Sequence, residues 1–551
     1  MRLDALSTGV KNLDIILKGG IPRYSINILG GPPGSGKTIL AQQIVFNNIK
    51  PGHKILYLVT VSEPTMKMMR YQQMFSFFNK EAVHNDEMIY LDFSDFVLSG
   101  GLKGIMRFIN HTLNEYQPHI IVIDSFKAIS NIAHDDLELR NFSYELAITL
   151  SVTECTSFLV GEYSKQDVID TPVFAIADGI VMLERQQVGL QDIRYINISK
   201  MRGTDYLMGS HPFVITENGI TVFPRTALTE RAFKYIIGPE RISSGIEGVD
   251  DMMSGGILKN SSTLVVGSPG CGKTLFSLHF IMEGLQKGES SLYVTTQETP
   301  EHLITSALSY GWNIEQFQKD GKLRIIYVTP VEMIIEQLAS YVKEILSTMD
   351  VKRVVIDSLM DLEKAASERE HFKDYAYALI NYFRSNDISV MATSEMPALF
   401  GASSKLSVHG ISFICDNVIL LQYVELNSAI VRALTILKMR GSNHSNEVRQ
   451  YQITDKGFEV LTPFTGYEGI HTGAPCRISE PGEFYREPLP VRQREVIDVL
   501  KKKGQMSFKQ LADESELTSE DLEQIIKNLL ALGHIIKYDK NGEELYKNVV
   551  F

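Results

Sequence analysis

SINILGGPPGSGKTIL, residues 25–40, decides how the rest of the chain is read. An apolar run of strand character leads into Gly31-Pro-Pro-Gly-Ser-Gly-Lys37-Thr38, which fits GxxxxGK[ST], and an amphipathic segment follows over Ile39–Asn48. Strand, glycine-rich loop and helix start are the context that a phosphate-binding loop requires. Gly31, Gly34, Ser35 and Gly36 let backbone N–H groups turn inward around phosphate oxygens at a helix N-terminus whose dipole already favours anions. Lys37 would then reach the β- and γ-phosphates, and the Thr38 hydroxyl would ligate magnesium.

The same stretch returns 236 residues later as Gly267-Ser-Pro-Gly-Cys-Gly-Lys273-Thr274. Gly267, Gly270, Cys271 and Gly272 take the cradle positions, Lys273 the phosphate contact and Thr274 the metal contact. The segment before each loop keeps that offset: TGVKNLDIILKGGI (8–21) answers SGIEGVDDMMSGGI (244–257). IIVIDS (120–125) answers VVIDS (354–358), and Lys200-Met201-Arg202-Gly203 answers Lys438-Met439-Arg440-Gly441. Four features in one order at nearly constant spacing mark an internal duplication. Asp124 and Asp357 each end a very apolar strand, which puts a carboxylate at the sheet edge beside the phosphate loop, where it can hold magnesium.

Between the motifs, short β-branched runs alternate with helical patterns. SINILG (25–30), KILYLV (54–59), HIIVID (119–124), TSFLVGE (156–162) and GIVMLE (179–184) read as buried strands, with Lys103–Tyr116 among the helices between them. Such alternation predicts an α/β fold with a mostly parallel central sheet in each copy. The first domain is expected over 1–230 and the second over 238–463. A Gly- and Pro-rich connector follows over 464–488, then a C-terminal domain over 489–551. Three helical patterns (Val491–Lys503, Ser507–Glu514, Thr518–Leu532) followed by two strands around an Asn-Gly turn predict a winged helix there.

Composition narrows the classes. The 551 residues are 44% hydrophobic and 22% charged, the balance of a globular protein with sizeable cores. The net charge of −12 gives no global attraction to nucleic acid or to a membrane surface. The absence of a long apolar run or a basic-then-apolar leader points to a cytoplasmic protein that does not span a membrane. Cys155, Cys271, Cys415 and Cys476 lack metal-ligand spacing, and reduced thiols are expected.

Taken together, the TGxxxLD…GGIP segment, the paired loops and the KMRG tetrapeptides resemble the RecA-like superfamily, and within it the KaiC-like double-domain ATPases, over about residues 1–478. The stretches CDNVILLQYVE (415–425) and LKMRGSNH (437–444) carry the resemblance most closely. It implies two tandem RecA-like domains, a homohexamer and ATP with Mg2+ sandwiched between neighbouring subunits. It also implies that Lys200, Arg202, Lys438 and Arg440 reach across to the next subunit's γ-phosphate. Fixed positive charge there would stabilise the charge that builds in the transition state.

Two departures qualify what the resemblance implies. The family places two adjacent glutamates after the second strand, and this chain has VTVSEP and TTQETP. Ser62 and Gln297 are then read at the first position, with Glu63 and Glu298 at the second as candidate replacements for the catalytic carboxylate. Glutamine can orient water without acting as a base. Where the family has an adjacent Ser-Thr pair of phosphoacceptors, this chain has Ser412-Phe413, leaving Ser412 as a single candidate for autophosphorylation.

The predicted recognition helix carries Glu520, Asp521 and Glu523 against Lys527, and residues 488–551 hold ten Lys/Arg against eleven Asp/Glu. Base-reading helices need donors and cations, so a regulatory protein partner is favoured over DNA. The leading expectation is therefore a ring-forming, ATP- and magnesium-dependent KaiC-like ATPase. A RecA-like DNA-remodelling ATPase and a nucleotide-gated scaffold with very slow turnover remain as alternatives.

Overall fold

The structure, a computed structural model, describes residues 4–60, 65–94, 96, 100–188, 191–225, 238–329, 334–365, 369–396, 414–470, 476–477, 490–515, 517–531, 535–540 and 543–548. Two compact units divide the chain. The first runs from Met1 to Phe464 with His471–Ala474, and the second takes Thr465–Ile470 and Pro475–Phe551.

In the first repeat the strands are β1 (Ile26–Gly31), β2 (Ile55–Val59), β3 (Met88–Asp92), β4 (Ile120–Asp124), β5 (Thr156–Glu162), β6 (Gly179–Val188), β7 (Gln191–Met201), β8 (Ser210–Thr216) and β9 (Gly219–Val222). They form one sheet in the order β3-β2-β4-β5-β1-β6-β7-β8-β9. The run from β3 to β6 is parallel, and β6 to β9 is an antiparallel meander. The second repeat supplies β10 (Ser262–Gly267), β11 (Ser290–Thr295), β12 (Leu323–Tyr327), β13 (Val351–Asp357), β14 (Ser389–Glu395), β15 (Asn417–Leu426), β16 (Ala429–Met439), β17 (Arg449–Thr454) and β18 (Gly457–Pro463). Its order, β12-β11-β13-β14-β10-β15-β16-β17-β18, is the first sheet's order strand for strand. The duplication read in four motifs is a duplication of the whole sheet.

The inner parallel strands are buried and mostly apolar on both faces, as in β2, where every residue is buried. Ile55, Tyr57 and Val59 of β2 enter one core with Val122, Phe158 and Val160. Leu56 and Leu58 enter the other with Ile121, Ile123 and Leu159. That is the period of two expected of a strand buried on both sides. The meander strand β7 instead alternates exposed and buried residues, and no contiguous apolar run marks it in the sequence.

Arg353, at the start of β13, is buried to 1% exposure. Its Nε donates to Glu289 Oε2 at 2.6 Å, its terminal nitrogen donates to the carbonyls of Ser243 and Phe280 at 2.8 and 2.9 Å, and its guanidinium lies 4.7 Å from the Phe280 ring centroid. It ties the residues before the second repeat's first helix to the helix that follows the phosphate loop. Arg353→Ala would strand both carbonyls and lower stability by roughly 3–5 kcal/mol. A urea titration of the intact chain should show the loss in the second repeat's transition, and an unshifted midpoint would refute it.

In the second unit, helix Val491–Lys503, strand Met506–Ser507, helices Phe508–Ser515 and Ser519–Ala531, and strands Ile535–Lys540 and Glu543–Asn548 follow one another. The short strand pairs with the last one (Met506 opposite Tyr546), which also pairs with its hairpin partner. Val496, Leu500, Leu511, Leu522, Leu529 and Ile535 fill the core between them. Within the expected connector, Tyr467–Glu468 pairs with Cys476–Arg477. So short a ladder has no apolar alternation by which to read it.

Candidate functional site

Both phosphate loops leave a central strand and enter a helix, Lys37–Asn47 in the first repeat and Lys273–Gln286 in the second. Gly36 and Gly272 hold the turn at φ 104 and 96, where a side chain is strained. A Cβ on either would also lie within 3.0 Å of an isoleucine methyl, that of Ile215 or Ile453. Loop and helix can thus join only through glycine. Lys37 Nζ donates to the Pro32 carbonyl at 2.8 Å, and Lys273 Nζ to those of Gly267 and Ser268 at 3.0 and 3.1 Å. Each ammonium is folded over its own loop. Burial draws the Lys37 pKa down, while Glu162 and Asp124 counter by favouring its charge.

At the end of β4, Asp124 Oδ2 accepts from Thr38 Oγ1 at 2.9 Å, and at the end of β13 Asp357 Oδ2 accepts from Thr274 Oγ1 at 2.9 Å. The expected metal pairs are therefore brought together in both repeats. A hydroxyl and a carboxylate are hard oxygen donors suited to Mg2+, which is commonly held by one or two carboxylates plus phosphates. No cluster of three or more His, Cys, Asp or Glu suited to a metal occurs among the described residues.

A cavity of about 820 Å³ opens over the first loop, lined by Lys37, Thr38, Asp124, Lys127, Glu162 and Arg194 among others. Ser35 Oγ and Arg194 Nε are buried and have no hydrogen-bond partner among the described residues, and the same holds for Arg432 Nε in the second repeat. Buried polar atoms are normally satisfied. Orphaned polar groups at a phosphate loop fit an anionic ligand that supplies acceptors. In the second loop the Cys271 thiol is buried, its pKa raised by that burial, and its carbonyl accepts from Tyr451 at 2.6 Å. Cys271 thus contributes backbone and volume to the cradle.

Sequence reasoning passed over a second layer. Tyr57 on β2 donates to Asp124 Oδ2 at 2.8 Å, and Tyr293 on β11 to Asp357 Oδ2 at 3.0 Å. Burial, reinforced by each carboxylate, holds both phenols well above their ordinary value, so they remain donors. Thr393 also donates to Asp357, through Oδ1. Tyrosine in an apolar strand looks like core. The signal that separates these two from core was their shared spacing of 236 residues.

The same layer corrects a register. Thr60 Oγ1 accepts from Ser125 N at 3.0 Å, and Thr296 Oγ1 from Ser358 N at 3.1 Å, so Thr60 and Thr296 are equivalent. Counting on without a gap to Pro64 and Pro300 pairs Val61 with Gln297, Ser62 with Glu298 and Glu63 with Thr299. That moves Ser62 and Glu63 one place from their expected pairing. Ser62 and Glu63 themselves lie outside the described residues, as do Ser412 and Phe413. Glu298 is described: it is half-buried, and desolvation together with the nearby Asp357 charge raises its pKa.

The KMRG residues lie at the opposite edge of each sheet. Lys200 pairs with Ile180 on β6, and the Arg202 N–H bonds the Asp178 carbonyl, level with the start of β1. From Ile26 to the phosphate loop is about 17 Å of strand rise, longer than an arginine side chain. Arg202 meets Asp178 at 3.3 Å instead, and Asp178 Oδ2 accepts from Ile26 N at 3.0 Å. In the second repeat Lys438 Nζ donates to the Cys415 carbonyl at 2.7 Å, and the Arg440 N–H bonds Asp416 O. Burial lowers both lysine pKa values, with Arg202 or Arg440 adding to the effect. These residues are not brought to their own repeat's phosphate loop.

A sequence profile of the KaiC ATPase family matches residues 6–227 and again residues 242–464. Similar proteins include the circadian clock oscillator protein KaiC of Prochlorococcus marinus (strain MIT 9313), 30% identical over 87% of this chain and 97% of that protein. The circadian clock protein KaiC3 of Synechocystis sp. (strain PCC 6803) is 30% identical over 86% of this chain and 95% of its own length. The KaiC of Thermostichus vulcanus is 30% identical over 86% and 92%.

Proposed function

Because the chain belongs to the KaiC family of ATPases, we propose that it forms an ATP-hydrolysing ring, a hexamer by the family resemblance, in which each of two tiers holds ATP between neighbouring subunits. One observation carries this reading. In both repeats the phosphate loop lies at one edge of the sheet and the Lys-Arg pair at the other, so a chain placed beside a copy of itself can supply what each loop lacks. In a heterologous ring every subunit both gives and receives that pair.

Lys37 and Lys273 exchange their loop carbonyls for β- and γ-phosphate oxygens. Thr38 with Asp124, and Thr274 with Asp357, would hold Mg2+, which would supply positive charge to the phosphates. Tyr57 and Tyr293 hold each aspartate in place. Lys200 and Arg202, or Lys438 and Arg440, from the adjacent subunit meet the γ-phosphate as charge builds there. Glu298 faces the reacting end and takes the proton of the attacking water. We read the second unit as a winged helix that binds a regulatory protein. Its Arg492, Lys503 and Lys537 pair with Asp521, Glu514 and Glu544, which leaves less charge for a phosphate backbone.

Phosphate release measured against pH, with and without Mg2+, tests this function. Release should need Mg2+. Glu298 acts as a base only when ionised, and its pKa is raised, so the rate should fall with decreasing pH while still above the ordinary glutamate value of 4.5. Glu298→Gln should lose that acidic limb together with roughly 100-fold of the rate. An unchanged limb in that variant would remove Glu298 from the role, and Mg2+-independent release would contradict the metal assignment.

A further inference from the structure

We propose that turnover is confined to the second repeat, where Asp361 orients Gln297 to hold the attacking water beside Glu298, while the first repeat keeps its ATP as a standing ligand. This rests on the reading that both loops bind ATP.

The second repeat carries a polar frame around the reacting end. Asp361, buried one helical turn after Asp357, accepts from Gln297 Nε2 at 2.7 Å, from Ser358 Oγ at 3.0 Å and from Thr296 Oγ1 at 3.2 Å. Glu395 Oε1 stands 3.5 Å from the same amide nitrogen, the outer limit of a hydrogen bond. Ionised carboxylates only accept, so the Gln297 amide must turn its nitrogen toward Asp361. Its carbonyl oxygen is left as an acceptor with a set orientation, next in sequence to the Glu298 carboxylate. An oriented amide acceptor beside a carboxylate can hold both protons of one water. The water oxygen then bonds to the γ-phosphorus while the bridging oxygen leaves with its electron pair on ADP. The proton released passes to Glu298 and from there to the product phosphate.

The first repeat keeps Thr60, Ser125 and Glu162 at the places of Thr296, Ser358 and Glu395, but it lacks the Asp361 carboxylate that orients the amide. Asp124 and Asp357 are equivalent, so Asp361 falls on Ala128 and Met360 on Lys127. Counted on in sequence from Thr60, Val61 and Ser62 correspond to Gln297 and Glu298. In place of acceptors the site gains a cation: Lys127 lines the first cavity with Lys37 and Arg194, anchored 2.7 Å from Asp167 and 4.9 Å from the Tyr163 ring centroid. Glu162 also lines that cavity, but its charge acts on the Lys37 ammonium. Cations at the phosphates strengthen ground-state binding of ATP, and without an Asp361-like carboxylate no amide is held to position the attacking water.

A pulse-chase on the full-length protein decides the matter. The protein is loaded with γ-labelled ATP and Mg2+, then diluted into unlabelled ATP. One of the two nucleotides bound per chain should remain as labelled ATP while the other is released as ADP and labelled phosphate. Asp361→Ala should lower kcat by roughly tenfold with little change in KM, and should leave the retained ATP in place. Gln297→Glu alone sets a carboxylate against Asp361 and should also slow turnover. Combined with Asp361→Ala it should run faster than either single variant, a coupling that a merely structural role would not produce. Exchange and hydrolysis of both nucleotides would overturn the confinement and leave the hydrolytic function intact. Two retained ATP molecules with no phosphate released would sink both. A wild-type rate in Asp361→Ala would remove its positioning role, and the chase on the unmodified protein stands even if that variant does not fold.

Discussion

Replacing Lys37 and Lys273 together by alanine abolishes ATP hydrolysis, with phosphate release falling by at least about a hundredfold. Each ammonium is the cation nearest its loop in sequence, at a helix N-terminus and largely excluded from water, where a charge-assisted bond to a phosphate oxygen is strong. The described hydrogen bonds of both side chains go to carbonyls of their own loops, so their loss leaves the sheet and helix contacts untouched. Phosphate release, nucleotide binding and far-ultraviolet circular dichroism separate loss of the site from loss of the fold. A folded double variant that hydrolyses ATP at the parent rate would place the chemistry elsewhere.

Lys438→Ala with Arg440→Ala should be nearly as damaging, for a different reason. An arginine delivered to the γ-phosphate acts mainly on charge that develops in the transition state, and such groups contribute about 10³-fold or more to the rate. Nucleotide binding should change much less than kcat. Arg440 is exposed and Lys438 half-buried, so the substitutions cost little stability. A chain that used its own pair would have to bring it across the sheet, and the pairing of Val418 with Lys438 fixes it at the far edge. Equal loss of binding and rate would instead make these residues part of the ground-state pocket.

Much of this is legible in the sequence. Loop chemistry is local, so Gly31 to Thr38 and Gly267 to Thr274 declare themselves, and a strand buried on both faces announces Asp124 and Asp357 by the apolar run before them. What stayed hidden depends on spacing between strands. Tyr57 and Tyr293 look like core residues until the neighbouring strand brings a carboxylate to the phenol. Asp361 looks like an ordinary helix residue until Gln297 is seen to donate to it. The edge strand β3 packs less completely than its neighbours, and β7 alternates with polar residues, so neither carries the continuous apolar signature that marked the inner strands. The pairing of Ser62 with Gln297 was one residue off because two similar short segments align equally well by eye. A hydrogen bond from the following strand, to Thr60 in one repeat and Thr296 in the other, settles the register.

Completion of each site by a neighbour is the claim on which the rest depends, and mixing two inactive variants tests it. Lys273→Ala protein has intact fingers and a disabled second loop, whereas the Lys438→Ala/Arg440→Ala protein has the reverse. When the two are dissociated, mixed in equal amounts and reassembled with ATP and Mg2+, about a quarter of the second-tier interfaces in a randomly mixed ring should pair an intact loop with intact fingers. Phosphate release should rise to about that fraction of the wild-type rate. Mixed rings that form, as seen by mass spectrometry of the intact assemblies, yet hydrolyse no faster than either parent would contradict the account.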